Sequence, residues 1–329
     1  MTSFKKYIVA VLIAVLVLAV LIIAIVNMPV KREVNTQVAQ QPAYWVAPSL
    51  YLDNELKGEE RRQVIYGEEL IMHTARYFGP KGIVAHTTNG MNCQNCHLDA
   101  GTLPWGNNYG AISSTYPRFR DRSGSMETIS KRVSDCFERS MNGTAPDTNG
   151  KEMKAIIAYM QWLGKHVPKD SIPVGSGITQ LPFLNRAASP ENGAIVYDNK
   201  CKSCHGANGE GLMQPDGIAY SYPPLWGEHS YNTGAGLYRL SRFAGYVKDN
   251  MPFKEATHQS PALTDEEAWD VAAFVNSQPR PVMTQNKADW PDIAKKPIDH
   301  PFGPFADGFS EQQHKFGPFQ PIADARKKR

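Results

Sequence analysis

Strong charge of either sign is missing from this sequence. Over 329 residues the formal net charge is +3, charged residues make up 20%, and the basic tract Lys327-Lys328-Arg329 is short. The electrostatic footprint of a nucleic-acid binder is therefore absent. Cysteine is scarce, and its placement leaves nothing for disulfides. Four of the five fall in Cys93-Gln94-Asn95-Cys96-His97 and Cys201-Lys202-Ser203-Cys204-His205. Rossmann or thioredoxin patterning is lacking around both motifs, and a redox dithiol does not need a histidine directly after each pair.

The two C-x-x-C-H motifs match the attachment signature of c-type haem. In it two thiols add to the vinyl groups and the adjacent histidine meets the iron. Two covalently bound haem c groups are expected, one on Cys93, Cys96 and His97, the other on Cys201, Cys204 and His205. Because c-type haem is attached outside the cytoplasm, export follows. Long apolar runs are absent with one exception, Tyr7 to Val26, which at 1.5 Å per residue matches a bilayer core of about 30 Å. It leaves through Asn27-Met28-Pro29-Val30-Lys31-Arg32, without the small-x-small exit of a cleaved signal, and reads as an uncleaved single-pass anchor. The haem motifs then orient it in a bacterial inner membrane with the haem domains on the periplasmic side.

Two stretches repeat one order of features: a helix, C-x-x-C-H, a Tyr-Pro loop, a long helix, a Met in a turn and a closing helix. Gly67–Phe78, Tyr116-Pro117 and Glu152–Leu163 serve the first copy. Glu191–Tyr197, Tyr222-Pro223 and Thr264–Ser277, with Thr264 as N-cap, serve the second. Tyr159 and Phe274 hold the same place in the closing helices. The fold expected is all-α, with two tandem class I cytochrome c-type haem domains after an N-terminal transmembrane helix. The boundaries read are anchor 1–30, tether 31–43, first domain 44–167, linker 168–186, second domain 187–280 and a Pro/Phe/Gly-rich extension 281–329, taken as surface loop.

An iron with one histidine has a sixth position, and its occupant sets the redox potential. In the second copy Met251 lies 46 residues after His205 within Asn250-Met251-Pro252. A thioether there suits electron transfer. In the first copy two candidates stay open: Met141, 44 residues after His97, and Cys136, an unpaired thiol. Cys136 stands among Arg118, Arg120, Arg122, Arg132 and Arg139, and such cations favour the thiolate that binds iron or attacks sulfur. Some of these arginines would serve haem propionates; five exceed that need and point to a small dianionic substrate.

The string Arg132-Val133-Ser134-Asp135-Cys136-Phe137-Glu138-Arg139-Ser140-Met141-Asn142-Gly143 resembles the segment of dihaem thiosulfate dehydrogenases that supplies a cysteine to the active-site haem. The likeness extends through Arg118–Gly124, Pro224-Leu225-Trp226-Gly227 and Asn250-Met251-Pro252. It implies that two thiosulfates couple to tetrathionate at a first haem ligated by His97 and Cys136. A second haem, on His205 and Met251, would pass electrons to a soluble cytochrome c or an oxidase. Arg122, Arg132 and Ser140 would orient the sulfonate groups. Some members carry a Lys before the Met, where this chain has Asn250. Two other readings are a tethered dihaem electron carrier, with Met141 on the first iron, and a haem-thiolate enzyme that loads thiosulfate onto a carrier protein.

Overall fold

Helices make up most of the regular structure of this protein, seen in a computed structural model that describes residues 44–283 and 289–328. The expected anchor and most of the tether lie outside the described residues. Among those described, no helix is long and apolar enough to cross a membrane. The principal helices are α1 Gly58–Met72, α2 Ile129–Arg139, α3 Lys151–Leu163, α4 Pro190–Lys200, α5 Leu240–Asn250 and α6 Asp265–Ser277. Two short antiparallel ladders depart from the all-α expectation: β1 Arg118–Arg120 with β2 Ser125–Glu127, and β3 Leu212–Met213 with β4 Tyr220–Tyr222.

Each half is organised by one helix pair crossing at a glycine. In the first, α1 meets α3 so closely that a Cβ on Gly67 would lie 2.1 Å from the Ala155 carbonyl oxygen and 2.7 Å from Tyr159 Cβ. In the second, α4 meets α6, and a Cβ on Gly193 would lie 1.9 Å from the Asp270 oxygen and 2.8 Å from Phe274 Cβ. Tyr159 and Phe274 thus occupy equivalent places, as the duplication implies. Thr264 caps α6 in a full capping box with Glu267, which satisfies two backbone donors at once.

The first opening helix differs from its expected span. It begins at Gly58, because Glu59-Glu60-Arg61-Arg62 at its start hides the apolar period, and it breaks at His73 (φ −125°, ψ 36°) before the short helix Thr74–Phe78. Thr74 Oγ1 donates to the Leu70 carbonyl, and the Ala75 amide donates to Asn92 Oδ1. The break therefore ties the helix to the loop carrying Cys93.

Two large apolar cores result, with a small cluster of Met91, Tyr220, Tyr231 and Ala235 besides. One gathers Leu70, Phe78, Phe137, Ile156 and Tyr159; the other gathers Leu240, Phe243, Trp269 and Val271, and takes in Leu98 from just after the first haem motif. The C-terminal extension is not the surface loop expected. It forms helices α7 Glu311–Phe316 and α8 Gln320–Lys327, and Phe319 and Ile322 are buried in the second core. Helices this short show no readable period, and Pro321 reads as a breaker although the first helical turn tolerates proline.

Candidate active site

His97 follows a 3-10 turn, Cys93–Asn95, closed by reciprocal bonds between Asn92 and Asn95. The Cys93 amide donates to Thr74 Oγ1 at 3.0 Å. The imidazole Nδ1 donates to the Asn107 carbonyl at 2.5 Å, and the ring stacks on Tyr109 at 4.5 Å. Asn107 reaches it in the left-handed region (φ 58°), a conformation Asn tolerates better than most side chains. In the second motif His205 Nδ1 donates to Pro223 O at 2.9 Å. There the Tyr-Pro loop supplies the acceptor, whereas in the first half Asn107 does so and Tyr116-Pro117 does not.

Burial pushes His97 down to about 4 and also lowers His205. Both imidazoles are therefore neutral, with Nδ1 engaged and Nε2 left as a donor for iron, which is the arrangement an axial histidine needs. A cavity of 420 Å³ is lined by Cys201, Cys204, His205 and Met251. A smaller one of 130 Å³ is lined by Cys93, Cys96, His97, Cys136 and Met141. The donor sets fit two haem groups, each set facing a cavity. Met251 is the C-cap of α5. Its neighbour Asn250 is buried, and its amide donates to Trp105 O and Tyr246 O, so this side chain holds the turn against the first half.

Beside the small cavity lies a second space of 280 Å³ walled by Arg120, Arg122, Arg132, Arg239 and Arg242. Cys96, His97, Cys136 and Ser140 line both spaces, while Met141 lines only the smaller. Arg132, Cys136 and Ser140 follow one another at four-residue intervals along α2 and its C-cap, so they share one face. Cys136 beside it, more than Asp135 or Glu127, holds the half-buried Arg132 firmly charged.

The five arginines picked out by sequence are not equivalent. Arg118 is exposed. Arg120 sits 3.8 Å from Glu127. Arg139 is bound by Asp289, and Arg122 is shared between Asp289 and the Gly234 carbonyl. Burial, then the charge of Arg139, lowers Arg122 to about 10, still protonated at neutral pH. Among the described residues Arg132 and Arg242 make no side-chain hydrogen bond or carboxylate ion pair.

Sequence reading missed Arg239 and Arg242, which enter from the second half, and Asp289 and Trp290 from the extension. Arg239 and Arg242, one helical turn apart at the start of α5, carried a readable signal. Asp289 carried none.

Residues 84–168 match the family model described as SoxA/TsdA, cytochrome c domain, and residues 190–279 match the model for cytochrome c. A thiosulfate dehydrogenase of Allochromatium vinosum is 37% identical over 67% of this chain and 82% of its own. One from Psychrobacter arcticus is 39% identical over 62% of this chain. The solved thiosulfate dehydrogenase TsdBA of Marichromatium purpuratum superposes with a TM-score of 0.65 at 34% identity, over 72% of this chain. The match spans 61% of the Psychrobacter protein and half of the Marichromatium chain. With two cytochrome c domains, each holding a haem c attachment motif, and with these relatives, the chain belongs to the thiosulfate dehydrogenase family of dihaem c-type cytochromes.

Proposed function

We propose that this protein joins two thiosulfates into tetrathionate at the first haem site, where His97 and Cys136 would hold the iron, and releases the two electrons through the second, where His205 and Met251 would do so. One observation carries this reading. Cys136, with Arg132 and Ser140 one turn to either side, lines both the cavity at His97 and the arginine-walled space adjoining it.

The chemistry explains why such a wall is needed. A sulfur–sulfur bond forms between the terminal sulfurs of two dianions, two electrons leave and no proton is released. At 4 Å and an effective dielectric constant of 20, each pair of unit charges repels by about 4 kcal/mol. Fixed guanidinium groups offset that repulsion without reorganising. Arg132 and Arg122 hold the sulfonate oxygens, and Ser140 donates one hydrogen bond. Bound haem supplies the acceptor for the electrons at the first site and the relay at the second. The same groups serve the reverse reaction.

Membrane anchoring through Tyr7 to Val26, a periplasmic position for the haem domains, and a soluble cytochrome c or an oxidase as acceptor complete the proposal. Purified protein assayed with thiosulfate and an artificial one-electron oxidant should turn over, and Cys136→Ala should fall to background with both haems still attached. Full activity in Cys136→Ala would return the chain to the electron-carrier reading.

A further inference from the structure

Arg122 is oriented by a residue that lies outside both cytochrome c matches, which end at residue 279. Asp289 Oδ2 accepts from Arg122 Nε at 2.9 Å and from Arg139 Nη1 at 2.8 Å, while Oδ1 accepts from Arg139 Nη2 at 2.8 Å. The carboxylate is 11% exposed. Three further contacts fix the same arginine: Nη2 donates to Gly234 O at 2.8 Å, its backbone carbonyl accepts from the Trp290 amide at 2.7 Å, and its guanidinium lies 6.0 Å from the Trp290 ring. Among the described residues the Nη1 hydrogens and one on Nη2 have no hydrogen-bond partner, on a side chain that lines the anion space together with Trp290. Arg139 does not line that space. It holds Asp289 from behind, through both guanidinium nitrogens, and also reaches Met283 Sδ.

We propose that Asp289 is a positioning residue for the anion pocket. It bridges two guanidinium groups that would otherwise repel, and it turns the free edge of Arg122 to the substrate. The C-terminal extension is then a working part of the active site. The surplus of arginines there is also explained, since Arg139 serves the carboxylate and not the anion. This inference rests on the thiosulfate reading given above.

The test uses the full-length dihaem protein with thiosulfate and ferricyanide. Asp289→Asn should raise the KM for thiosulfate about tenfold, as expected when a charge-assisted hydrogen bond to Arg122 is loosened, and change kcat far less. Asp289→Glu, which keeps the charge but moves it by one methylene, should lie between and provides the same readout if the Asn variant folds poorly. In an Arg122→Gln background the Asp289→Asn change should add little, because its effect acts through Arg122. A normal KM in Asp289→Asn beside a raised KM in Arg122→Gln, or effects that multiply in the double variant, would overturn the inference and leave the thiosulfate reading intact. Absence of thiosulfate turnover in the unaltered protein would instead remove the reading on which it rests.

Discussion

Replacing Gly193 by Ala tests the helix crossing that shapes the second haem site. The added Cβ would sit 1.9 Å from the Asp270 carbonyl oxygen, where ordinary contact begins at 3.4 Å. The two backbones must therefore part by about 1.5 Å. Nothing flexible can yield, since the nearest atoms are backbone and the Phe274 Cβ. Overpacking of this kind costs about 1–3 kcal/mol or more, against a gain in helix propensity of only about 0.5–1 kcal/mol. Parting α4 from α6 also loosens Phe274 from Tyr197 and Trp226, whose rings lie 5.3 and 5.6 Å from it. Taking the upper end of that cost because backbone must move, a net loss of about 2 kcal/mol should lower the melting temperature by about 3 °C for a chain of this size. Thermal unfolding followed by circular dichroism reads this directly. Gly308→Ala, where nothing lies within 4 Å of an added Cβ, is the control. A Gly193→Ala protein that melts within a degree of the Gly308→Ala control would refute the reasoning.

Met251→Gly should lower the potential of the second haem in a redox titration, because a thioether ligand raises it; an unchanged potential would make Met251 a packing residue only. Asp299 supplies a pH signature. It is buried, yet the charge of Arg239 and hydrogen bonds from Ser241 and Arg239 outweigh burial and hold its carboxyl below the usual range. Its contribution is therefore present above the unfolded-state value of about 3.9 and is lost as pH falls through the folded one. The melting temperature should drop steeply below about pH 4 and less steeply in Asp299→Asn, while parallel profiles would remove Asp299 from the account.

Much of the site was legible because covalent chemistry dictates spacing. Haem attachment requires Cys, Cys and His in one short register, and the turn carrying Met251 stands at a comparable distance from its histidine as Met141 does from the other. Thr264 was readable as a cap because capping is local. The partners of the arginines were not. Asp289 meets Arg122 across 167 positions of sequence, and Arg242 reaches the arginine-walled space from the other half, so no local pattern encodes either. Helices α7 and α8 were hidden for a different reason, being stabilised by burial of Phe319 and Ile322 and not by propensity.

That burial makes the two halves unequal in the order of synthesis. Every buried residue of the first core lies between Trp45 and Leu163, so that core is complete once Leu163 has emerged. The second also takes in Phe319 and Ile322, which lie more than 40 positions beyond the end of α6 at Ser277, so it is completed later. Domains fold as units, the N-terminal one first. The first core can therefore close on residues up to Leu163 alone, while the second waits for α8 to pack. Removing α8 would take away the element that completes the second core.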